Sequence, residues 1–195
     1  MPQFLPHTSF FFLRHGVTDH NQLRLVMGQL DIPLNAEGRR QAENAARLLR
    51  GCGIRAIASS PLSRARETAE IVARLIEAEI TVIEGLQERH WGSLTGRSHH
   101  ELFRLPPAAT PEGAESAAAF TARILAALGE LPQPGPVLVV AHAGACRVLR
   151  RAMGLDDGEA PVPNATPLEF VAEAGGGWRE RRVVSPSPPE RTRTL

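Results

Sequence analysis

The sequence predicts an α/β fold, a three-layer α/β/α sandwich with a mostly parallel central sheet. Two patterns point there. Short apolar runs alternate along the chain with longer stretches of helix-forming residues, and most of the helical stretches carry their own start or stop signals. Such alternation favours parallel strands whose crossover helices cover both faces of the sheet. With 195 residues the chain is long enough for one domain with a sizeable core and short for two.

The elements follow in order. "SFFFL" (9–13) reads as a buried first strand. It lacks the basic leader and small-residue cleavage site of a signal peptide and is too short to span a bilayer. "NAEGRRQAENAARLLRG" (35–51) reads as a helix, with Asn35 as its cap, Glu37 in the first turn and Gly51 at the end. "IRAIAS" (54–59) is a short strand, and 61–78 is a helix opened by Pro61. "ITVIEG" (80–85) is β-branched and extended. An irregular stretch rich in His, Gly, Arg and Pro occupies 87–113. A helix over 114–131 starts near Glu115 or Ser116, "PVLVVA" (136–141) is a strong buried strand, and 144–154 is a helix ending at Gly154. Residues 167–184 suggest a hairpin turning at 175–177, and the Pro- and Ser-rich tail 185–195 reads as disordered. The expected organisation is a single domain over 1–184, with a lid insertion at about 89–113.

The composition narrows the function classes. A net charge of +1 gives no field for a nucleic-acid or membrane partner. The basic residues are all Arg, so a Walker lysine is impossible, and no glycine-rich dinucleotide loop follows a strand. The two cysteines, Cys52 and Cys146, are too few for a disulfide scaffold and read as buried thiols of a cytoplasmic protein. His90, His99 and His100 lack the spacing and companions of a zinc site. Neither metal nor cofactor is expected.

In open α/β sheets, ligands bind beyond the carboxyl ends of the strands. Three junctions there carry polar residues: Leu13 to Arg14-His15, Ala58 to Ser59-Ser60, and Ala141 to His142. The first adds Gly16, Thr18 and Asn21, the second Arg64 one turn into the next helix, and the third Gly144. A lone histidine in apolar surroundings is more often a satisfied core residue. Here two Arg, two His and several small donors would converge with no acid among them. Guanidinium forks and helix N-termini match phosphate oxygens, so the expected ligand is a phosphate.

"LRHGVTDHN", "GQLDIPLNAEGRRQA", "SSPLSRARETA", "LQERHWGSLTG", "PEGAES" and "VVAHAGACRVL" resemble, in order, the motifs of the histidine phosphatase superfamily, whose fold is phosphoglycerate mutase-like. The resemblance implies that His15 attacks phosphorus and becomes phosphohistidine. It implies that Arg14, Arg64 and His142 bind the phosphoryl oxygens, and that Glu88 protonates the leaving oxygen and then deprotonates water. Asn21, Thr18, Gly28, Ser59 and Ala143 complete the substrate-binding set. The pattern departs from the family at Val17, usually Glu or Gln, and at Ala143, usually Gly. "ERHWGSLTG" looks more like the mutase branch, yet His99 stands at the mutase lysine and the stretch from Glu88 to His142 is shorter than in mutases. The expected function is therefore hydrolysis of a small phosphorylated metabolite. A phosphoglycerate mutase-type transfer is the alternative, and a catalytically inactive phosphate-binding module is the reading from another class. Phosphoglycerate, a sugar phosphate and a nucleotide-like phosphate all remain candidates. Oligomeric state is not legible.

Overall fold

β1 (Phe10–Arg14) alternates its side chains between two cores, and this decides the layering. Phe10 and Phe12 join one buried cluster while Phe11 and Leu13 join the other. β4 (Val137–Ala141) does the same, with Val137, Val139 and Ala141 on the first side and Leu138 and Val140 on the second. A strand buried on both faces reads as a continuous apolar run, as these two do. This computed structural model describes residues 8–106, 109–155 and 160–184. The tail expected to be disordered lies outside them.

Among the described residues the sheet has six strands, ordered β3-β2-β4-β1-β5-β6, with β2 at Ala56–Ser59, β3 at Glu79–Val82, β5 at Leu168–Ala172 and β6 at Trp178–Arg182. The four strands β3, β2, β4 and β1 are parallel; β5 and β6 add an antiparallel hairpin beside β1. α2 (Ala36–Leu49) and α3 (Ser63–Ile76) cover one face through Ala45, Leu49, Ala65, Ala69 and Val72. α5 (Ala117–Leu128) and α6 (Ala143–Met153) cover the other through Phe120, Ile124, Val148 and Leu149. Each buried Leu or Phe contributes about 1.5–3 kcal/mol by leaving water. The expected three-layer sandwich is the fold observed.

Several boundaries differ from the sequence reading for local reasons. α3 starts at Ser63 rather than Pro61, because Asp31 Oδ1 accepts the Ser63 N–H at 2.7 Å while Leu62 is still extended. Ser116, not Glu115, caps α5. The third strand stops at Val82 and the chain then turns through a 3₁₀ segment, Glu84–Leu86. Two short helices were not foreseen, α1 (Asp19–Gln22) and α4 (His99–Phe103). Each opens with a reciprocal capping box, Thr18 with Asn21 and Ser98 with Glu101. Cys146 is buried as expected, but Cys52 is only half-buried.

Candidate active site

Parallel register brings the three polar junctions together. Arg14 pairs with Ala141, and Ser59 pairs with Val140, so β4 lies between β1 and β2 with all three ending at one level. The ladder runs on past the strand ends: His15 N–H donates to Ala141 O and Ser60 N–H to Val140 O, both at 3.0 Å. His142 follows β4 directly and is flanked by both neighbours. Its ring centroid is 5.2 Å from that of His15, close to the ~4.8 Å strand spacing that sets it. Its Nε2 is 2.8 Å from Ser60 Oγ.

His15 is buried, with Nδ1 2.7 Å from Gly16 O. A carbonyl oxygen only accepts, so Nδ1 carries the proton and Nε2 keeps its lone pair. Burial, then the charges of Arg64 and Arg14, hold the His15 pKa well below its ordinary value. His142 is lowered in the same way, by burial first and then by Arg64, His15 and Arg14. Both imidazoles are neutral at pH 7.

Arg64 is fully buried, an expensive position for a cation unless its donors are satisfied. Nη1 donates to Leu30 O at 2.8 Å and Nη2 to Gly28 O at 2.7 Å. Gly28 lies in the left-handed region, φ +52°, where an L side chain is strained. Arg14 donates from Nη1 to Val162 O at 2.7 Å. Burial, offset in part by Glu88, pushes both guanidiniums down to about 10, so both stay charged at neutral pH. Arg14 Nε, Arg64 Nε and His142 Nδ1 are buried with no hydrogen-bond partner among the described residues. Buried polar nitrogens normally find partners, and these three belong to groups near enough to act on one another's charge, a donor set suited to an oxygen-rich ligand.

Glu88 comes from the loop after the first 3₁₀ segment. Its Oε1 accepts the Arg89 N–H at 2.9 Å and its Oε2 the Gly144 N–H at 3.0 Å. The carboxylate therefore occupies the N-terminus of α6, where His142 makes no side-chain cap and a negative charge is favoured. The Arg89 guanidinium lies 4.3 Å from the Trp91 ring centroid.

The remaining expected residues divide. Asn21 Oδ1 accepts from Thr18 N–H at 3.1 Å and from Asn164 Nδ2 at 3.3 Å, which fixes the amide and leaves the Asn21 NH₂ as its donor end. Thr18 is buried and its hydroxyl caps α1 by accepting the Asn21 N–H, with Met27 Sδ at 3.2 Å. Gly28 serves Arg64 through its carbonyl. The Ser59 hydroxyl donates to Ser60 O, and Ser60 is the serine that meets His142. The pleat alternates side chains, so the neighbour one residue on takes the other direction. Ala143 begins α6 directly beside His142.

Sequence reasoning missed three supports. Asn164 Nδ2 donates to His15 O at 2.9 Å, and Ala165 N–H to Arg14 O at 2.9 Å, so the loop before β5 backs the first junction. Thr68 Oγ1 accepts the Gly16 N–H and donates to Arg64 O, at 3.1 and 2.7 Å. None of these has a local signal, since the partners are far apart in sequence. Among the described residues no three His, Cys, Asp or Glu side chains converge as a metal site would require.

The model of the histidine phosphatase superfamily (branch 1) matches residues 10–183. The chain belongs to that superfamily. Among related histidine phosphatases, it is 32% identical over 180 residues to the Bacillus subtilis (strain 168) protein named Uncharacterized phosphatase PhoE, covering 88% of this chain and 92% of the relative. It is 34% identical over 154 residues to Phosphoglycerate mutase-like protein 4 of Arabidopsis thaliana, covering 70% of this chain and 67% of the relative. The solved mycobacterial glucosyl-3-phosphoglycerate phosphatase superposes with a TM-score of 0.74 at 29% identity, over 90% of this chain and 97% of that one. This histidine phosphatase is a phosphatase-like enzyme of the superfamily, and no helix among its described residues is long and apolar enough to cross a membrane.

Proposed function

We propose that the chain hydrolyses the phosphomonoester of a small phosphorylated metabolite through a phosphohistidine at His15 Nε2. One observation carries this reading: Gly16 O takes the proton-bearing Nδ1 of a neutral His15, which leaves the other ring nitrogen nucleophilic beside two arginines. Nε2 attacks phosphorus and the bond to the ester oxygen breaks. Arg14 and Arg64 donate to the phosphoryl oxygens as negative charge grows there. With Ser60 donating to His142 Nε2, the His142 Nδ1–H is a third donor and Asn21 a fourth. Preorganised donors of this kind are each worth roughly 100- to 1000-fold in rate. Glu88 enters this step as the carboxylic acid and delivers its proton to the departing oxygen, becoming the carboxylate. It then takes a proton from water as that water attacks phosphorus, the N–P bond breaks and inorganic phosphate leaves.

The mutase-like relative keeps phosphoryl transfer within a sugar acid as the second reading. Hydrolysis is favoured by the short stretch between Glu88 and His142, which offers few extra cations for a second phosphorylated ligand. The test is phosphate release from p-nitrophenyl phosphate and from a panel of phosphorylated metabolites, in EDTA. Release by the wild type, lost by His15→Ala by at least about 1000-fold, is the expected result. Undiminished turnover by His15→Ala overturns the mechanism. Isomerisation of 3-phosphoglycerate stimulated by 2,3-bisphosphoglycerate selects the mutase reading instead.

A further inference from the structure

Glu88 sits on an irregular loop, and a loop carboxylate holds a catalytic geometry only if its backbone is fixed on both sides. The fixing group is Arg123, in the second turn of α5. Its Nη1 donates to Gly85 O and to Gln87 O, both at 2.9 Å, and its Nη2 reaches Glu88 O at 3.4 Å. The same guanidinium is held by Glu115 through Nε–Oε1 at 2.9 Å and Nη2–Oε2 at 2.6 Å, a two-pronged pair. Glu115 in turn binds the loop beyond Glu88: its carbonyl accepts Arg89 Nε at 2.8 Å, its carboxylate accepts the His90 N–H at 3.4 Å, and its own N–H donates to His90 O at 2.9 Å. Gln29 Nε2 adds a second donor to Glu88 O at 3.1 Å. Three carbonyls on one guanidinium, with Glu115 binding Arg89 through its carbonyl and His90 through its carboxylate and N–H, leave the 85–90 backbone little freedom.

We propose that Arg123 and Glu115 form a clamp that positions Glu88 for proton delivery to the leaving group. Neither residue touches substrate; both act through the carboxyl of Glu88. The proposal rests on the acid role assigned to Glu88 above. A plain surface ion pair would explain the Arg123–Glu115 contact but not the three carbonyls gathered on the same guanidinium. A displacement of about 1 Å at a reacting group can cost roughly 100-fold.

The experiment compares kcat/KM, which reports formation of the phosphoenzyme, for two esters. p-Nitrophenyl phosphate expels a phenolate that leaves without a proton, whereas glycerol 2-phosphate expels an alkoxide that needs one. Arg123→Gln is expected to lower kcat/KM on glycerol 2-phosphate by about 10- to 100-fold and on p-nitrophenyl phosphate by less than about threefold. In a Glu88→Gln background, Arg123→Gln is expected to add less than about twofold, because the group it positions is already gone. Equal losses on both esters, or losses that multiply in the double variant, overturn the clamp. Glu115→Gln, which keeps size and an accepting oxygen, is expected to show the same selectivity more weakly. It decides the matter if Arg123→Gln does not fold: a Glu115→Gln enzyme equally impaired on both esters, or unimpaired on both, overturns the clamp. If Glu88→Gln itself shows no selectivity between the esters, the acid assignment has failed and the clamp with it; if Glu88→Gln is selective and the clamp variants are not, the clamp alone has failed.

Discussion

Glu88 and Gly144 meet so closely that no side chain fits between them. The Gly144 N–H donates to one carboxylate oxygen, and a Cβ on Gly144 would stand 2.1 Å from the other. Glycine is needed here for space, with Phe120 Cζ also 3.0 Å from such a Cβ, and not for backbone angle, since residue 144 lies in the first turn of α6 with helical angles that any residue adopts. Gly144→Ala should therefore leave the fold intact, helped by the better helix propensity of Ala, while pushing Glu88 from its place. A loss of about 100-fold in kcat/KM on an alkyl phosphate, with an unchanged melting temperature, is the expected pair of measurements. Wild-type activity in this variant would mean the Glu88–Gly144 contact has no part in the reaction.

The two site histidines are expected to remain neutral well below the ordinary imidazole value. Burial and neighbouring guanidiniums lower both. Imidazole NMR signals followed from pH 8 to 5.5 should show no protonation of His15 or His142, both held well below the ordinary imidazole value of about 6.5. The ¹⁵N shifts of His15 should report the Nδ1–H tautomer. Protonation of His15 near its unperturbed value of about 6.5 would show that burial and the two guanidiniums do not hold it down.

The same shifts link stability to pH. Below about 6.5 the unfolded chain binds protons at these two positions and the folded chain does not. Their contribution is complete above the unfolded value and is lost as pH falls toward the lower folded values. The expected loss between pH 6.5 and 5.5 is about 1 kcal/mol for each histidine. Denaturant unfolding of His142→Gln should be less pH-dependent than wild type over this interval by about that amount. An identical slope would show that His142 does not titrate differently in the two states.

Gly38 tests the packing behind the nucleophile. A Cβ there would stand 2.1 Å from Val17 O and 2.9 Å from Val17 N, and one on Gly16 would stand 2.3 Å from Gly38 O. These contacts are with backbone, which cannot swing aside. Gly38→Ala gains helix propensity yet should still destabilise by about 2 kcal/mol, read from the urea midpoint, because overpacking outweighs the gain. A more stable variant would show that α2 can withdraw from the His15 loop without cost.

Much of the molecule was legible because its signals are local. Asn35 caps α2 through the Gly38 N–H, as its place before an apolar-periodic run predicts. The apolar runs of β1 and β4 state their burial on both faces. The short helices α1 and α4 were overlooked although Thr18-Asn21 and Ser98-Glu101 both have capping-box spacing; a helix of four or five residues leaves no periodicity to find. The apolar run places the end of β2 at Ser59, but which of the adjacent serines faces His142 depends on side-chain direction, which spacing alone does not give.

The amino-acid sequence alone determined the layer architecture, the strand junctions and the family, since apolar periodicity, caps and ordered motifs are properties of neighbouring residues. Only the tertiary structure decided which ring nitrogen of His15 is free, that Ser60 rather than Ser59 meets His142, and that Arg123 grips the loop of Glu88. It also decided pairs such as Arg150 with Glu180, joined at 2.6 and 2.7 Å across α6 and β6. The physical reason is range. Hydrogen bonds and ion pairs act over about 3 Å between groups that the chain separates by tens of residues, so they exist only once sheet register has set those groups side by side.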